Sequence, residues 1–276
     1  MLWESTDPAA ALADRFGFLR ASDAAEWIAE VLEQHWALDV TRCDRLVISD
    51  HNVIAWIDAG GRRLIVKWSA RPTRFSHLED AARLVAWLDA EGLPVAAPVP
   101  ATAGSLLVEV SNRSKERLRS RLPLPGSRFL VGVLPVVAGA LLSVEDPSQV
   151  EDAGRMLATL HETLASHPGR PGSRGRRDRA QLVHNDFRSA NLLHDGTRIC
   201  AVLDFEEIKH ETRAADIAKS AVLLATQYRD WGPTSEEVRR TYIDAYDDQA
   251  REPLTTAERR EVADSVADHL NAFGWT

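Results

Sequence analysis

The chain has 276 residues, 45% of them hydrophobic and eight of them tryptophan, which excludes wholesale disorder and allows one large domain or two lobes. Its net charge of −8 is uneven: residues 111–128 carry a surplus of +5 and residues 168–180 one of +4, leaving −17 on the rest. An acidic body with two basic loops lacks the broad basic face of a nucleic-acid binder, and it suits a cationic partner.

In chain order, residues 8–18 and 22–35 read as helices, the second capped by Ser22 or Asp23. Strands follow at 45–49, 52–58 and 63–68, with Asp58-Ala59-Gly60-Gly61 as the hairpin between the last two. A helix is predicted over 76–90, where Leu78, Ala82, Val85 and Leu88 share one face and Gly92 supplies the stop. Strands at 105–110 and 128–133 complete the first part. Helices at 149–167, 214–230, 235–247 and 256–272 fill the second, interrupted only by a hairpin over 181–204. Strands first and helices after predict an α+β fold of two lobes. The small β-rich lobe takes residues 1–134 and the mainly helical lobe residues 135–276.

Cys43 and Cys200 have neither metal nor redox spacing, and Cys200 reads as a buried thiol, which fits a reducing cytoplasm. The start of the chain lacks the pattern of a signal peptide, and the uncharged run from Leu130 to Val144 is too short to span a bilayer. A soluble, cytoplasmic protein without membrane or nucleic-acid partners is expected. His161-Glu162 with His167 misses the spacing of a helical zinc site, and Pro171 to Gly175 misses the nucleophile-elbow pattern. His161 is expected to pack between the lobes.

The densest chemical signal runs from Leu182 to Glu206. An apolar stub delivers His184-Asn185-Asp186, Asn191 follows the Asp by five residues, and a second apolar strand ends in Asp204. Kinases use this order, with one Asp orienting a hydroxyl while an Asn and another Asp hold magnesium. Asp195-Gly196 reads as a two-residue turn, which would bring Asp204 opposite Phe187, beside Asp186. Three oxygen-bearing side chains would then converge on a volume suited to a hard cation.

These motifs resemble the aminoglycoside phosphotransferase and choline kinase-like superfamily, the small-molecule branch of the protein-kinase fold, over roughly Asp44 to Asp247. The family's His-Gly-Asp is matched by His184-Asn185-Asp186, its strand-terminal Asp by Val202-Leu203-Asp204-Phe205, and a later Asp-Leu-Ala by Asp216-Ile217-Ala218. The resemblance implies an ATP- and magnesium-dependent phosphotransferase. Asp186 would be the catalytic base, Asn191 and Asp204 the metal ligands, and Arg188 a contact to the transferring phosphoryl. Lys67, at the end of the third strand, would bind phosphate with Glu79 as its partner, although Ser76 to Glu79 also reads as a capping box. Ser49 and Asn52 flank the expected phosphate loop, and Val133 to Val136 form the expected adenine hinge. Asp216 would brace the loop, and His184 would stabilise it.

Two departures stand out. Asn185 occupies a glycine position, and Asn tolerates positive φ better than most residues. Only about a dozen residues, 168–179, fill the place of a long helical insertion in the family. The acceptor pocket would therefore come from the carboxy-terminal helices, with Glu206, Glu207, Asp230 and Asp244 holding ammonium groups. The acceptor is expected to be a hydroxyl on a small cationic molecule, an aminoglycoside-like or other basic antibiotic. Amino alcohols of the homoserine or choline kind and sugars follow. A silent nucleotide-binding scaffold is the rival class, and the complete set of Lys67, Asp186, Asn191 and Asp204 counts against it. The missing glycine loop counts against a protein kinase.

Overall fold

The computed structural model describes residues 6–49, 51–111, 128–168, 180–227 and 231–275, so most of both basic loops lies outside the described residues. Two compact units divide the chain: Met1–Trp87 with Ala96–Val136, and Leu88–Val95 with Val137–Thr276.

The first unit is a five-stranded antiparallel sheet in the order β1-β2-β3-β5-β4. Its strands are β1 (Val40–Ile48), β2 (Asn52–Ala59), β3 (Arg62–Ser69), β4 (Leu107–Ser111) and β5 (Arg128–Pro135). Gly60 and Gly61, at φ 55° and 72°, make the tight β2–β3 turn, a geometry open to glycine because it has no Cβ.

Strand alternation sorts the two faces. Val53, Ala55 and Ile57, then Leu64, Val66 and Trp68, then Phe129, Val131 and Val133 are buried on one face. That face is covered by a short helix α1 (Pro8–Ala11), the turn Leu12–Phe16 and helix α2 (Ala21–Trp36). Trp27 is the hub, with ring centroids 5.4 Å from Phe18, 5.5 Å from Trp68 and 5.2 Å from Phe129, in the tilted and edge geometries aromatic pairs favour. Ser22 and Asp23 fall inside the first turn of α2 rather than before it, and Asp23 instead accepts a hydrogen bond from Arg20 Nε at 2.9 Å.

The other face carries Lys67 opposite Gly132, and α3 (Phe75–Ala90) sets Phe75 and Leu78 against Leu130 and Leu107 there. A 3-10 turn, Pro72–Arg74, leads into α3, so Ser76 is the second residue of the helix rather than the residue before it.

The second unit holds α4 (Pro147–Ala165), α5 (Arg213–Leu223), α6 (Glu236–Gln249) and α7 (Thr256–Ala272). Short strands accompany them: β6 (Ala140–Leu141), β8 (Leu192–His194) and β9 (Ile199–Val202) form one sheet, β7 (Ala180–Val183) and β10 (Lys209–Thr212) another. Local chemistry starts each helix. Asp146 accepts from Ser148 N–H ahead of Pro147, Thr212 from Ala215 N–H, and Ser235 from Val238 N–H. Thr255 and Glu258 form a complete capping box on α7.

Helix α5 ends at Leu223, short of the predicted residue 230. Thr226 Oγ1 donates to the Leu223 carbonyl at 2.7 Å and Thr234 Oγ1 to that of Val222 at 3.0 Å, so side chains satisfy the last turn. Gly154 lets α4 and α6 touch, since a Cβ there would sit 2.3 Å from the Tyr242 carbonyl and 2.9 Å from the Tyr246 nitrogen.

A bidentate ion pair ties α5 to α7. Arg213 Nε and Nη2 donate to Glu258 at 2.9 and 3.1 Å, and the Glu258 side chain is mostly buried. Arg213 and, further, the Thr255 donors outweigh the penalty of burial and lower the Glu258 pKa to about 2 from 4.5. A depressed carboxylate contributes stability that is fully present above the unfolded value and lost as pH falls through the folded one. Glu258→Gln should therefore be less stable than the parent at pH 7. The gap should close between about pH 4.5 and 2, as read by denaturant unfolding across that range. A gap independent of pH would remove the ion pair from this account.

Candidate active site

The stretch from His184 to Asn191 lies along α5, which binds it residue by residue. Asp216 Oδ1 accepts from the Asn185 N–H at 2.9 Å. Lys219 Nζ donates to the Asn185 carbonyl at 2.6 Å and to its side-chain oxygen at 3.1 Å. Ser220 Oγ donates to the Phe187 carbonyl at 2.5 Å and pairs with the Tyr242 hydroxyl at 2.7 Å. Just past the helix, Leu224 O accepts from the Ser189 N–H at 3.0 Å. Positions 216, 219 and 220 share one helical stripe, so a single face supplies the contacts made within the helix.

Asn185 has φ 63°, in the left-handed region that asparagine tolerates better than most residues. Its side chain adds what glycine lacks, since Nδ2 donates to the Glu207 carbonyl at 3.0 Å. Asp204 is also left-handed, at φ 60°, where the chain turns from β9 into the 3-10 turn Phe205–Glu207. Such conformations cost roughly 1–3 kcal/mol each and hold only where the surroundings fix them.

Below the loop lies a buried polar chain. Asp216 Oδ2 meets His161 Nε2 at 3.0 Å, and His161 Nδ1 meets the Tyr246 hydroxyl at 3.0 Å. Burial opposes the charge of Asp216, yet the hydrogen bonds from His161 and from the Asn185 N–H hold its carboxyl below the usual range. Burial pushes the Tyr246 phenol upward, so it stays a donor at neutral pH. His161 thus bonds within the helical unit, to α5 and α6. His184 Nε2 donates to the Leu203 carbonyl at 3.0 Å, and its Nδ1 accepts from the Asp186 N–H at 3.2 Å. Burial lowers its pKa, which keeps the ring neutral as this pattern requires.

Asp186 is the focus, with 23% of its side chain exposed. Oδ1 accepts from Arg188 Nε at 3.0 Å, and Oδ2 accepts from Asn191 Nδ2 at 2.8 Å. Asn191 Nδ2 also donates to the Asp186 carbonyl at 2.8 Å. Arg188 lies over the Trp231 ring, 5.4 Å from its centroid, a contact the sequence did not announce.

The hairpin brings Asp204 in by another register. Leu192 pairs with Val202 and Leu193 with Ala201, and the Leu203 N–H donates to the Asn191 carbonyl at 2.8 Å. Asp204 therefore arrives beside Asn191 rather than opposite Phe187. Asp195 causes the difference: its Oδ1 accepts from Thr197 and Arg198 N–H, which builds a four-residue Asx-type loop in place of a two-residue turn.

The remaining predicted residues divide. Glu206 and Glu207 follow Asp204 in one short turn. Asp244 is exposed on the side of α6 away from Tyr242, Ala245 and Tyr246, which are packed inward, so the helical period separates it from the loop. Asp230 lies outside the described residues. In the sheet unit, Lys67 is half-buried on the face that α3 covers, and Glu79 is exposed on α3. The Ser49 N–H donates to the Asn52 carbonyl at 2.8 Å and the Asn52 N–H to Ser49 Oγ at 3.1 Å, so both amides close the β1–β2 turn. Val133 gives its carbonyl to the Val99 N–H at 2.7 Å, and the Val136 N–H reaches the Arg63 carbonyl at 3.4 Å. Cys200 is half-buried rather than buried. Among the described residues, no three His, Cys, Asp or Glu side chains gather as a metal site, and no helix is long and apolar enough to cross a membrane.

Residues 168–261 match the family model of the phosphotransferase enzyme family, APH. No curated protein matches the chain. Among solved structures, it is similar to amicoumacin kinase hAmiN in complex with AMP-PNP, Ca2+ and Ami, at 13% identity and TM-score 0.64, covering 91% of this chain and 89% of that one. A microcompartment-associated aminopropanol kinase is similar at 18% identity and TM-score 0.65, covering 91% and 88%. Spectinomycin phosphotransferase APH(9)-Ia, in complex with ADP and its antibiotic, is similar at 11% identity and TM-score 0.56, covering 91% and 89%. At these identities the likeness is one of fold: a β-rich first part and a helical second part, as in small-molecule kinases.

Lys219 is the support the sequence reading missed. Lys219→Met should leave the fold intact and speed hydrogen exchange at the Asn185 and Asp186 amides by tenfold or more relative to α4, with Lys219→Arg intermediate. Unchanged protection would mean that the loop stands without the clamp.

Proposed function

We propose that the chain is an ATP-dependent small-molecule phosphotransferase that moves the γ-phosphoryl group to an acceptor hydroxyl. One observation carries the reading. Asp186 is gripped by Arg188 and Asn191 inside the stretch that matches the phosphotransferase family model, with Asp204 delivered beside Asn191.

In this reading Asp186 orients the acceptor hydroxyl and takes its proton at Oδ1 or Oδ2 as the new O–P bond forms, while the bond from the γ-phosphorus to the bridging oxygen breaks and ADP leaves. Positioning is the larger part of such catalysis, and the hydrogen bonds to both carboxylate oxygens provide it. Arg188, already on Asp186, would meet the charge of the transferring group. Asn191 Oδ1 and an Asp204 carboxylate oxygen would hold magnesium. Two oxygen ligands suit an ion that keeps several waters and completes its shell with phosphate oxygens. When bound, magnesium would neutralise phosphate charge. Lys67 would bind nucleotide phosphate, with Glu79 as its partner.

The acceptor is proposed to carry an amine. Glu206 and Glu207 support this through their place directly after Asp204, and Asp244 no longer contributes. Structures of similar fold include an amicoumacin kinase, an aminopropanol kinase and a spectinomycin phosphotransferase, which is consistent with such an acceptor.

ADP release from magnesium-ATP should rise with one member of a panel of aminoglycosides, other basic antibiotics and amino alcohols. Asp186→Ala should lower that turnover by at least a thousandfold and leave ATP affinity within about twofold, consistent with a group acting only in the transition state. Wild-type-like turnover in the variant would remove Asp186 as the base. Asp204→Ala should weaken magnesium-ATP more than metal-free ATP, and equal weakening of both would contradict its metal role.

A further inference from the structure

Among the described residues only three large hydrophobic side chains are exposed, Leu19 at 80%, Trp231 at 49% and Phe273 at 41%. Two of the three lie together. Trp231 and Phe273 have centroids 6.5 Å apart and tilted by 54°, and Phe273 stacks on Trp275 at 4.6 Å and 22°. The row begins at the proposed base, because the Arg188 guanidinium lies over the Trp231 ring while its Nε holds Asp186. Exposed apolar side chains scattered singly are normal, whereas a contiguous patch bordered by polar groups points to an interaction site.

From this juxtaposition we propose that Trp231, Phe273 and Trp275 form an acceptor subsite that receives a flat, uncharged ring carried by the molecule whose hydroxyl meets Asp186. The inference rests on the phosphotransferase reading and narrows its substrate class to hydroxyl compounds with a ring beside the reacting group.

Three features argue for this occupant. The patch is continuous with the Asp186–Arg188 pair, so a ring seated on it belongs to a molecule that reaches the carboxylate. Three rings also fall well short of the roughly 800 Å² per side that a stable protein partner buries, whereas ring stacking suits a compact ligand. The charge nearby disfavours an ammonium on the rings themselves. Arg188 already occupies one face of Trp231. His269, four residues before Phe273, has its pKa lowered by burial and then by Lys219 and Lys209, which together outweigh the Asp268 carboxylate. An amine on the acceptor would turn instead toward Glu206 and Glu207.

The test uses the full chain, ligand-observed NMR and three amino or hydroxy probes of similar length. These are 2-amino-1-phenylethanol, methyl glucoside and the open-chain 1-amino-2-hexanol. Ring probes should bind at least tenfold more tightly than the open chain. Binding of the phenyl probe above that of the glucoside names an aromatic ring, and the reverse order names the apolar face of a sugar. Trp231→Ala and Phe273→Ala should each weaken ring binding about tenfold or more, while Trp231→Phe retains most of it. Both positions are exposed, so the core survives the substitutions.

Equal binding of all three probes, or ring binding unchanged in both alanine variants, overturns the subsite. So does a concentration-dependent dimer that Trp231→Ala abolishes, since the patch would then serve a second copy. Ring binding that is lost in the variants supports the subsite whatever the turnover. ADP release indifferent to Asp186→Ala sinks the phosphotransferase reading alone.

Discussion

The stripe of α5 that presents Asp216, Lys219 and Ser220 to the His184–Asn191 backbone is the constraint on which the rest of the helical unit depends. A loop that turns through a left-handed residue and leaves a carboxylate partly exposed has few backbone partners of its own. Helix side chains provide them: a carboxylate for an amide, an ammonium and a hydroxyl for carbonyls. Each of these groups is braced in turn, Asp216 by His161 and Tyr246, Ser220 by Tyr242. The tyrosines come from α6, which reaches α4 and α5 closely because Gly154 removes a side chain from the contact. Helix packing and loop geometry are therefore one problem in this chain, and its solution runs through polar groups that are buried and paired.

The left-handed Asn185 shows how the sequence manages the cost of that geometry. A glycine would adopt the angle freely but would leave the loop tied only by backbone atoms. Asn accepts a modest conformational penalty and supplies two side-chain bonds, one from Lys219 and one to the Glu207 carbonyl. The second joins the loop to the turn that follows Asp204, the other left-handed residue near the site. Two strained positions thus hold each other through one amide, and the carboxylates proposed to act at different steps gain a common frame.

What the sequence made legible was local. Asp186, Asn191 and Asp204 fall close together because their spacing crosses one short hairpin, and the helices are legible because their apolar periods are strong. The hairpin register was misjudged because Asp195 folds its side chain onto two backbone amides, a choice that a dipeptide signal cannot encode. The α5 end was overextended because its stop is a pair of threonines, one of them eleven residues past the last helical residue, instead of a glycine. Lys219 and Ser220 were passed over since their partners lie 34 and 33 residues earlier. Their signal was present nonetheless, as polar residues in phase with Asp216 on an otherwise apolar helix. Asp244 was chosen for its charge, and only the packing of Tyr242 and Tyr246 reveals that it faces away.

Arg188 connects the legible part of the site to the illegible part. Its Nε neutralises the carboxylate that spacing identified, and its guanidinium plane lies on an indole that no motif identified. A guanidinium can do both because its donors lie in the plane while its face remains apolar enough to stack. A lysine at this position would keep the charge but lose the simultaneous contact, for its ammonium has no flat face. Any ligand that displaces Arg188 from Trp231 thereby alters the hydrogen bonding of Asp186. In the proposed reaction, recognition of a ring and preparation of a hydroxyl would be coupled through this one side chain.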